Sequence, residues 1–319
     1  MTNTTADSRQ TQPVSPGKVA DMTLTAVATP PATNRFLVPV AAAVTVVLWG
    51  SAFIGIRSAG FDYSPGALAL GRILVGTLAL TVIAGLAGKL QLPRGRTLVG
   101  VLVWGVLWFG LYNLALNAAE RTLDAGTASL LVGLAPILIA VFAGISLGEG
   151  FPARLLAGIG IAFAGVAGIA LATSSGASDG IAVVLGLAAA VIYAGSTILQ
   201  KRLLPEVDSL TMTWLGCLAG TVACLPFAPV LLDELATAPA SATLSVVYLG
   251  VFPTAIAFVT WGFALTRTTA GRLGAATYAA APLALLMSWL LLGEVPAPIA
   301  LIGGTLCLTG VLVATLRLR

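Results

Sequence analysis

Ten long apolar runs, separated by short polar breaks, occupy the chain from residue 36 to residue 316. They fall at roughly 36–56, 66–88, 97–117, 124–147, 153–173, 181–200, 210–231, 243–265, 273–293 and 297–316. Each holds the ~20 residues with which a helix crosses the hydrocarbon of a bilayer. In hydrocarbon every backbone polar group has to be satisfied within the segment, so runs this long read as helices. Only 9% of the 319 residues are charged, against about 25% in a soluble domain. The expected fold is therefore an all-α polytopic membrane protein of ten transmembrane helices. The short connections predict that helices adjacent in sequence pack as hairpins.

Residues 1–35 are rich in Thr, Ser, Pro and Gln and contain no sustained apolar core. They read as a disordered cytoplasmic tail and not as a signal peptide. With the N-terminus placed in the cytoplasm, thirteen of the 16 lysines and arginines fall on the inner side. Arg57 and Arg121 alone fall outside, and Arg72 lies within a segment. This bias predicts cytoplasmic N- and C-termini in the cell membrane.

The chain also repeats itself. Arg121-Thr122 returns as Arg267-Thr268, and Pro136 as Pro282, each 146 residues on (267 − 121, 282 − 136). Leu147-Gly148-Glu149 returns as Leu292-Gly293-Glu294, 145 on, and Trp49-Gly50-Ser51 aligns with Tyr193-Ala194-Gly195, 144 on. Residues 36–173 and 181–316 thus form two five-helix units. An odd number of helices makes the second unit enter the membrane upside down relative to the first. Such inverted 5+5 repeats place a substrate near the midplane, where the units meet.

With these residues in view, the chain resembles the drug/metabolite transporter superfamily, in its ten-helix branch with two EamA repeats. The resemblance rests on LWGSAFIGIR at 48–57, GRILVG at 71–76, the proline-bearing fourth and ninth helices, and LGE at 147–149 and 292–294. It implies a carrier of the cytoplasmic membrane that exports amino acids, related metabolites or drugs. Gly216 stands in the second repeat where Arg72 stands in the first, so any role of that arginine belongs to one half.

Other chemistries find little support. Gly17-Lys18 and Gly88-Lys89 are followed by Val19 and Leu90, so neither forms a GxxxxGK[ST] phosphate cradle. The net charge of +4 reflects membrane orientation and not a nucleic-acid surface. The chain has no histidine, and its twelve carboxylates lie in the tail, the loops or the helix ends. An intramembrane enzyme acting on a lipid or isoprenoid, which needs a nucleophile and base or metal ligands, has little to work with. Neither a catalytic set, a metal site nor a cofactor is expected. A lipid or polyprenyl flippase of the same architecture is the other alternative, and a homodimer is compatible with the sequence. Cys217, Cys224 and Cys307 sit in apolar runs. The first two are about 10 Å apart along one helix, beyond disulfide reach.

Within the spans, polar and aromatic residues mark a substrate lining. The expected set is Trp49, Ser51, Tyr112, Asn113, Asn117, Tyr193, Thr254, Trp261 and Tyr278, with Trp108, Ser196, Gln200 and Trp289 beside them. Five further residues are read as gating or structural: Arg72, Pro136, Pro282, Glu149 and Glu294. Arg72 either contacts a carboxylate of the solute or bonds helix-end carbonyls or an outer acid such as Asp62 or Asp124. Pro136 and Pro282 free the carbonyls of Val132 and Tyr278 and bend their helices. Glu149 and Glu294 are either gate residues or solvated helix ends. The glycine pairs Gly158/Gly165 and Gly303/Gly310 read as close helix packing. Amides, hydroxyls and indoles with one central cation suit a small neutral or zwitterionic metabolite.

Overall fold

The computed structural model describes residues 1–2, 32–88, 91–147, 177–268, 270–295 and 298–315, with isolated residues between 153 and 165. Secondary structure among the described residues is helical. Six helices are long and apolar enough to cross a membrane: Phe36–Ala59, Pro65–Ala87, Gly95–Ala119, Gly180–Leu203, Ser209–Thr237 and Ala240–Arg267. These correspond to the first, second, third, sixth, seventh and eighth apolar segments. The fourth and ninth are apolar but interrupted, and the fifth lies largely outside the described residues. Large apolar side chains such as Leu78, Val82, Leu86, Val222, Leu290 and Leu291 face outward. A surface this apolar along whole helices suits a lipid surround. The chain is a multi-pass membrane protein.

Helix ends follow local chemistry. Ser64 sits extended before Pro65, which occupies the first helical turn where its missing N–H costs nothing. Asp124 accepts from the Thr127 N–H at 2.8 Å, and Asp208 from the Thr211 N–H at 2.9 Å, so each caps the span that follows. The ninth segment ends at Gly293, whose φ of 69° turns the chain toward Glu294 at little steric cost.

Adjacent spans do not pair as the short loops predict. The first span packs against the eighth and ninth, the third and fourth against the sixth, and the second against the seventh. Loops hold only helix ends together, whereas glycines decide where backbones come close. A methyl on Gly105 would run into the backbone oxygen of Gly216, and one on Gly250 would lie 2.6 Å from the Arg72 carbonyl oxygen. A methyl on Gly310 would lie 2.5 Å from the Gly158 carbonyl oxygen, so these glycines pack as their spacing predicts. Where the second and seventh spans cross, the Thr77 and Thr221 hydroxyls share a hydrogen bond of 2.9 Å. Their positions differ by 144, the same offset as Trp49 and Tyr193 (221 − 77, 193 − 49). Cys217 Sγ reaches the Ile73 carbonyl at 3.5 Å, again 144 apart, and both Cys217 and Cys224 are free and buried.

The spans near this crossing are not regular α-helix. The third contains a π turn at Val106–Leu111 and the eighth another at Gly250–Ile256. Their starts are again 144 apart (250 − 106). The fourth span breaks between Ala125–Val132 and Ala135–Leu147, just before Pro136. The ninth passes through a 3-10 turn at Thr277–Ala279, just before Pro282. Both prolines therefore sit after a break, as their missing N–H requires.

A central cavity and its two ends

The irregular segments converge on one cavity. A π turn leaves carbonyls without their usual partners, and side chains take them up. Asn113 Nδ2 donates to the Phe109 carbonyl at 2.8 Å and to that of Trp108 at 3.3 Å. Thr254 Oγ1 donates to the Leu249 carbonyl at 2.8 Å, and Trp49 Nε1 to the Pro253 carbonyl at 3.2 Å. Each π turn thereby presents a polar group inward while its backbone stays satisfied.

The cavity is lined by both halves of the chain: Trp49, Tyr112, Asn113 and Val132 from the first, Tyr193, Thr254 and Phe258 from the second. Its aromatic side is a cluster around Trp49, whose ring centroid lies 4.9 Å from that of Trp261, 5.3 Å from Phe258 and 5.8 Å from Tyr193. Trp108 lies 5.4 Å from Tyr193 and 5.2 Å from Phe258. Tilted and edge-on rings at these separations add attraction beyond burial and hold the site rigid. Arg72, only 5% exposed, lines the cavity as well. Its one hydrogen bond is long, from NH2 to Thr254 Oγ1 at 3.4 Å, and Nε and NH1 have no protein partner. A buried guanidinium with free donors is a ready carboxylate contact. No ion pair joins it to Asp62 or Asp124 among the described residues. The cavity volume is about 60 Å³, several times the ~10–15 Å³ that one water requires.

The expected site residues divide. Trp49, Tyr112, Asn113, Tyr193 and Thr254 line the cavity, together with Arg72 and Pro136. Trp261 is fully buried behind Trp49 and donates to Gln200 Oε1 at 2.9 Å. Ser51 bonds the Tyr248 hydroxyl at 2.6 Å, away from the cavity lining. Asn117 Nδ2 reaches the Pro65 carbonyl at 3.2 Å and ties the third span to the start of the second. Tyr278 is half-buried against the core, and Pro282 and Trp289 are exposed. Thr277, Ala280 and Ala281 face the cavity instead. A 3-10 turn advances about 120° per residue against 100° in an α-helix, which turns that face away. Ser196 and Gln200 are buried outside the lining, and Glu149 lies outside the described residues. Residues not expected from the sequence include Phe53, Phe109, Ser129, Pro253 and Phe258. Pro253, a proline in the middle of an apolar segment, was the available signal.

Each end of the bundle has its own polar corner. At one, Arg57 Nε pairs with Glu294 Oε1 at 2.7 Å while its NH1 donates to the Glu120 carbonyl at 3.0 Å. Glu294 Oε2 also accepts from Ser288 Oγ at 3.1 Å and from the Ala125 N–H at 3.5 Å. At the other, Lys201 Nζ donates to the Leu265 carbonyl at 2.7 Å and the Thr268 carbonyl at 3.0 Å. Lys201 is 144 beyond Arg57, and each takes a carbonyl at the end of the third or eighth span, so the two basic residues hold related positions in the two repeats. Glu120, just past the third span, is 3% exposed, and both its carboxylate oxygens lack a partner. Burial holds its carboxyl well above the usual carboxylate range, and Arg72 and Arg57 only partly oppose this.

Broken helices that meet at a cavity, in a surround of lipid-facing helices, define a membrane transporter. Residues 37–171 and 180–316 each match the EamA-like transporter family, so the chain belongs to that family. It is 39% identical to a protein of Streptantibioticus cattleyicolor named "Probable terminal-alkyne amino-acid exporter", over 86% of this chain and 92% of that one. An uncharacterised transporter of Bacillus subtilis is 34% identical over 85% of this chain and 89% of its own. A protein of Escherichia coli named "Probable amino-acid metabolite efflux pump" is 26% identical over 88% of this chain and 95% of its own. One crystal structure shares the fold with a TM-score of 0.62 at 24% identity, covering 87% of this chain and 96% of that one.

Proposed function

We infer that the protein exports amino acids or closely related zwitterionic metabolites across the cell membrane by alternating access. The observation that carries this reading is the cavity itself, with one buried guanidinium and an aromatic cluster in its lining. Arg72 offers unused donors to a carboxylate, and Asn113 Oδ1 an unused acceptor to an ammonium. The rings of Trp49, Tyr193 and Phe258 receive an apolar side chain. Two of the relatives carry amino-acid export or efflux in their names, which supports both the solute class and the direction.

The architecture behind the reading is ten helices in an inverted 5+5 repeat. It is supported by Thr77 meeting its own repeat equivalent Thr221, since a position touches its equivalent only at a two-fold axis. The Arg57 corner then faces outside and the Lys201 corner the cytoplasm, in line with the charge bias of the loops. Labelling of introduced cysteines from outside should reach positions near Asp179 or Asp233 but not near Arg94.

The direct test is efflux from proteoliposomes loaded with L-norvaline, a small amino acid with a straight apolar side chain. The expected result is saturable norvaline movement, with little movement of n-butylamine, which lacks the carboxylate. Equal movement of the amine, or none of norvaline, would sink the reading.

A further inference from the structure

We propose that the Glu120 carboxyl is the proton-binding site of this carrier, loaded from outside when the Arg57 corner is open, holding its proton while Arg57 clamps Glu294, and releasing it through the cavity to the cytoplasm. The inference rests on the alternating-access reading above. Its geometry is that of a carboxyl placed between the cavity and the Arg57 corner and left without a bond. Glu120 lies one helical turn beyond Leu116 and two beyond Tyr112 and Asn113, all three of which line the cavity. Its own backbone carbonyl is one of the two ligands of the Arg57 guanidinium.

The groups that face it come from every neighbouring element. Arg57 belongs to the first span and Arg72 to the second, while Tyr112 lies on its own helix. Asp124 caps the fourth span, and Glu294 follows the ninth. Arg121, next in sequence, is turned away and donates to the Gly60 and Tyr63 carbonyls at 3.1 and 3.3 Å. The nearest cations are thus both engaged or held apart. Arg57 gives its Nε to Glu294, and Arg72 reaches only Thr254 among its hydrogen bonds. Two other carboxylates share the neighbourhood. A buried carboxyl with no bond and two like charges nearby is neutral in this arrangement.

Release of the proton has a structural consequence. A charged Glu120 competes with Glu294 for Arg57, the group that ties the first span to the end of the ninth. Loss of that tie opens the corner toward the outer face, where the deprotonated carboxylate can be rehydrated and reloaded. Proton uptake from outside followed by closure would then drive the carrier back for the next solute molecule. No bond other than the carboxyl O–H forms or breaks; the proton comes from water outside and returns to water on the cytoplasmic side. On the Arg121–Arg267 alignment the Lys201 corner has Thr266 where the Arg57 corner has Glu120 (266 − 120 = 146), so the carboxyl belongs to one end only.

The test uses the whole protein in liposomes and needs no solute for its first reading. Infrared difference spectra across a pH titration should show a buried carboxylic C=O band that disappears as pH rises. That band should be absent in Glu120→Gln and shifted in frequency, but still titrating, in Glu120→Asp. A wild-type protein without such a band, or one whose band survives in Glu120→Gln, overturns the inference. In the same liposomes a pH difference should speed L-norvaline movement several-fold in the wild type and not in Glu120→Gln. Norvaline exchange at equal pH should persist in that variant. Norvaline movement that ignores the pH difference in the wild type also overturns the inference. A titrating Glu120 band with no norvaline movement at all would instead leave the proton site standing and remove the amino-acid reading.

Discussion

The two halves of the chain share a scaffold and differ in their charges. The second span crosses the π turn of the eighth, and the seventh crosses the π turn of the third, with glycines at both contacts. A basic residue, Arg57 or Lys201, takes the carbonyls that end the opposite helix in each half. Yet Arg72 has Gly216 as its counterpart, and Glu120 has Thr266. Arg72 gives one half a buried cation in the cavity lining, and Glu120 gives one corner a buried carboxyl. Packing is repeated and chemistry is not.

The strongest way to break this comparison is at the glycine crossings. Gly105→Leu and Gly250→Leu should both abolish properly folded protein, read as the monodisperse fraction after detergent extraction. Overpacking a tight contact costs about 1–3 kcal/mol or more, and here the added atoms meet backbone, which has little room to yield. Tolerance of one substitution and not the other would mean that the halves are not structurally equivalent.

Next in size is the charge that one half lacks. Arg72→Met should cut norvaline transport by at least tenfold while leaving folded protein in the membrane, because it removes the only cation in the cavity lining among the described residues. Arg72→Lys should recover part of the flux, since an ammonium keeps the charge but not the fork of a guanidinium. Full activity in Arg72→Met would assign Arg72 to packing.

The corners offer a finer comparison. Arg57→Gln should increase labelling from outside of a cysteine introduced at Leu116, and Lys201→Gln should decrease it. The Arg57–Glu294 pair is about one-fifth exposed at each side chain. Such pairs contribute about 0.2–1 kcal/mol, so a change of up to about fivefold in labelling rate is expected. Shifts in the same direction for both variants would mean that the corners do not act as opposed clamps.

The smallest expected effect is on stability against pH. The Glu120 carboxyl is held above the ordinary carboxylate range in the folded protein. Its contribution to stability is therefore complete at pH below the unfolded value and lost as pH rises through the folded one. The wild-type melting temperature should fall by a few degrees from mildly acidic to mildly alkaline pH, and Glu120→Gln should remove that part of the fall. An identical pH profile in both proteins would mean that Glu120 is charged throughout.

Much of this comparison was legible in the residues, and the failures are instructive. The 144-residue offset that aligns Trp49 with Tyr193 brings both to one cavity, and Asn113, Thr254 and Arg72 are there with them. Tyr278 was expected in the lining, but the 3-10 turn at Thr277–Ala279 presents Thr277 instead. Trp261 was chosen for its indole, but Gln200, sixty-one residues earlier, already accepts its N–H. Glu120 shares a helix face with Asn113 and Asn117 at i, i+4 and i+7 and reads as an edge acid able to titrate; its burial without a hydrogen-bond partner shows only in the structure.

By itself, the sequence determined the solvent, the helical class and the repeat. Hydrocarbon admits only backbone that satisfies itself, and a repeated order of prolines, glycines and helix-end residues specifies a repeated unit. Only the tertiary structure decided which helices touch, where the π turns fall, and which polar groups keep unused bonds. Many of those outcomes depend on contacts between residues far apart in the chain, such as Gly105 with Gly216 and Arg72 with Gly250. At such positions a glycine or a carboxylate acquires its meaning from the backbone that lies against it.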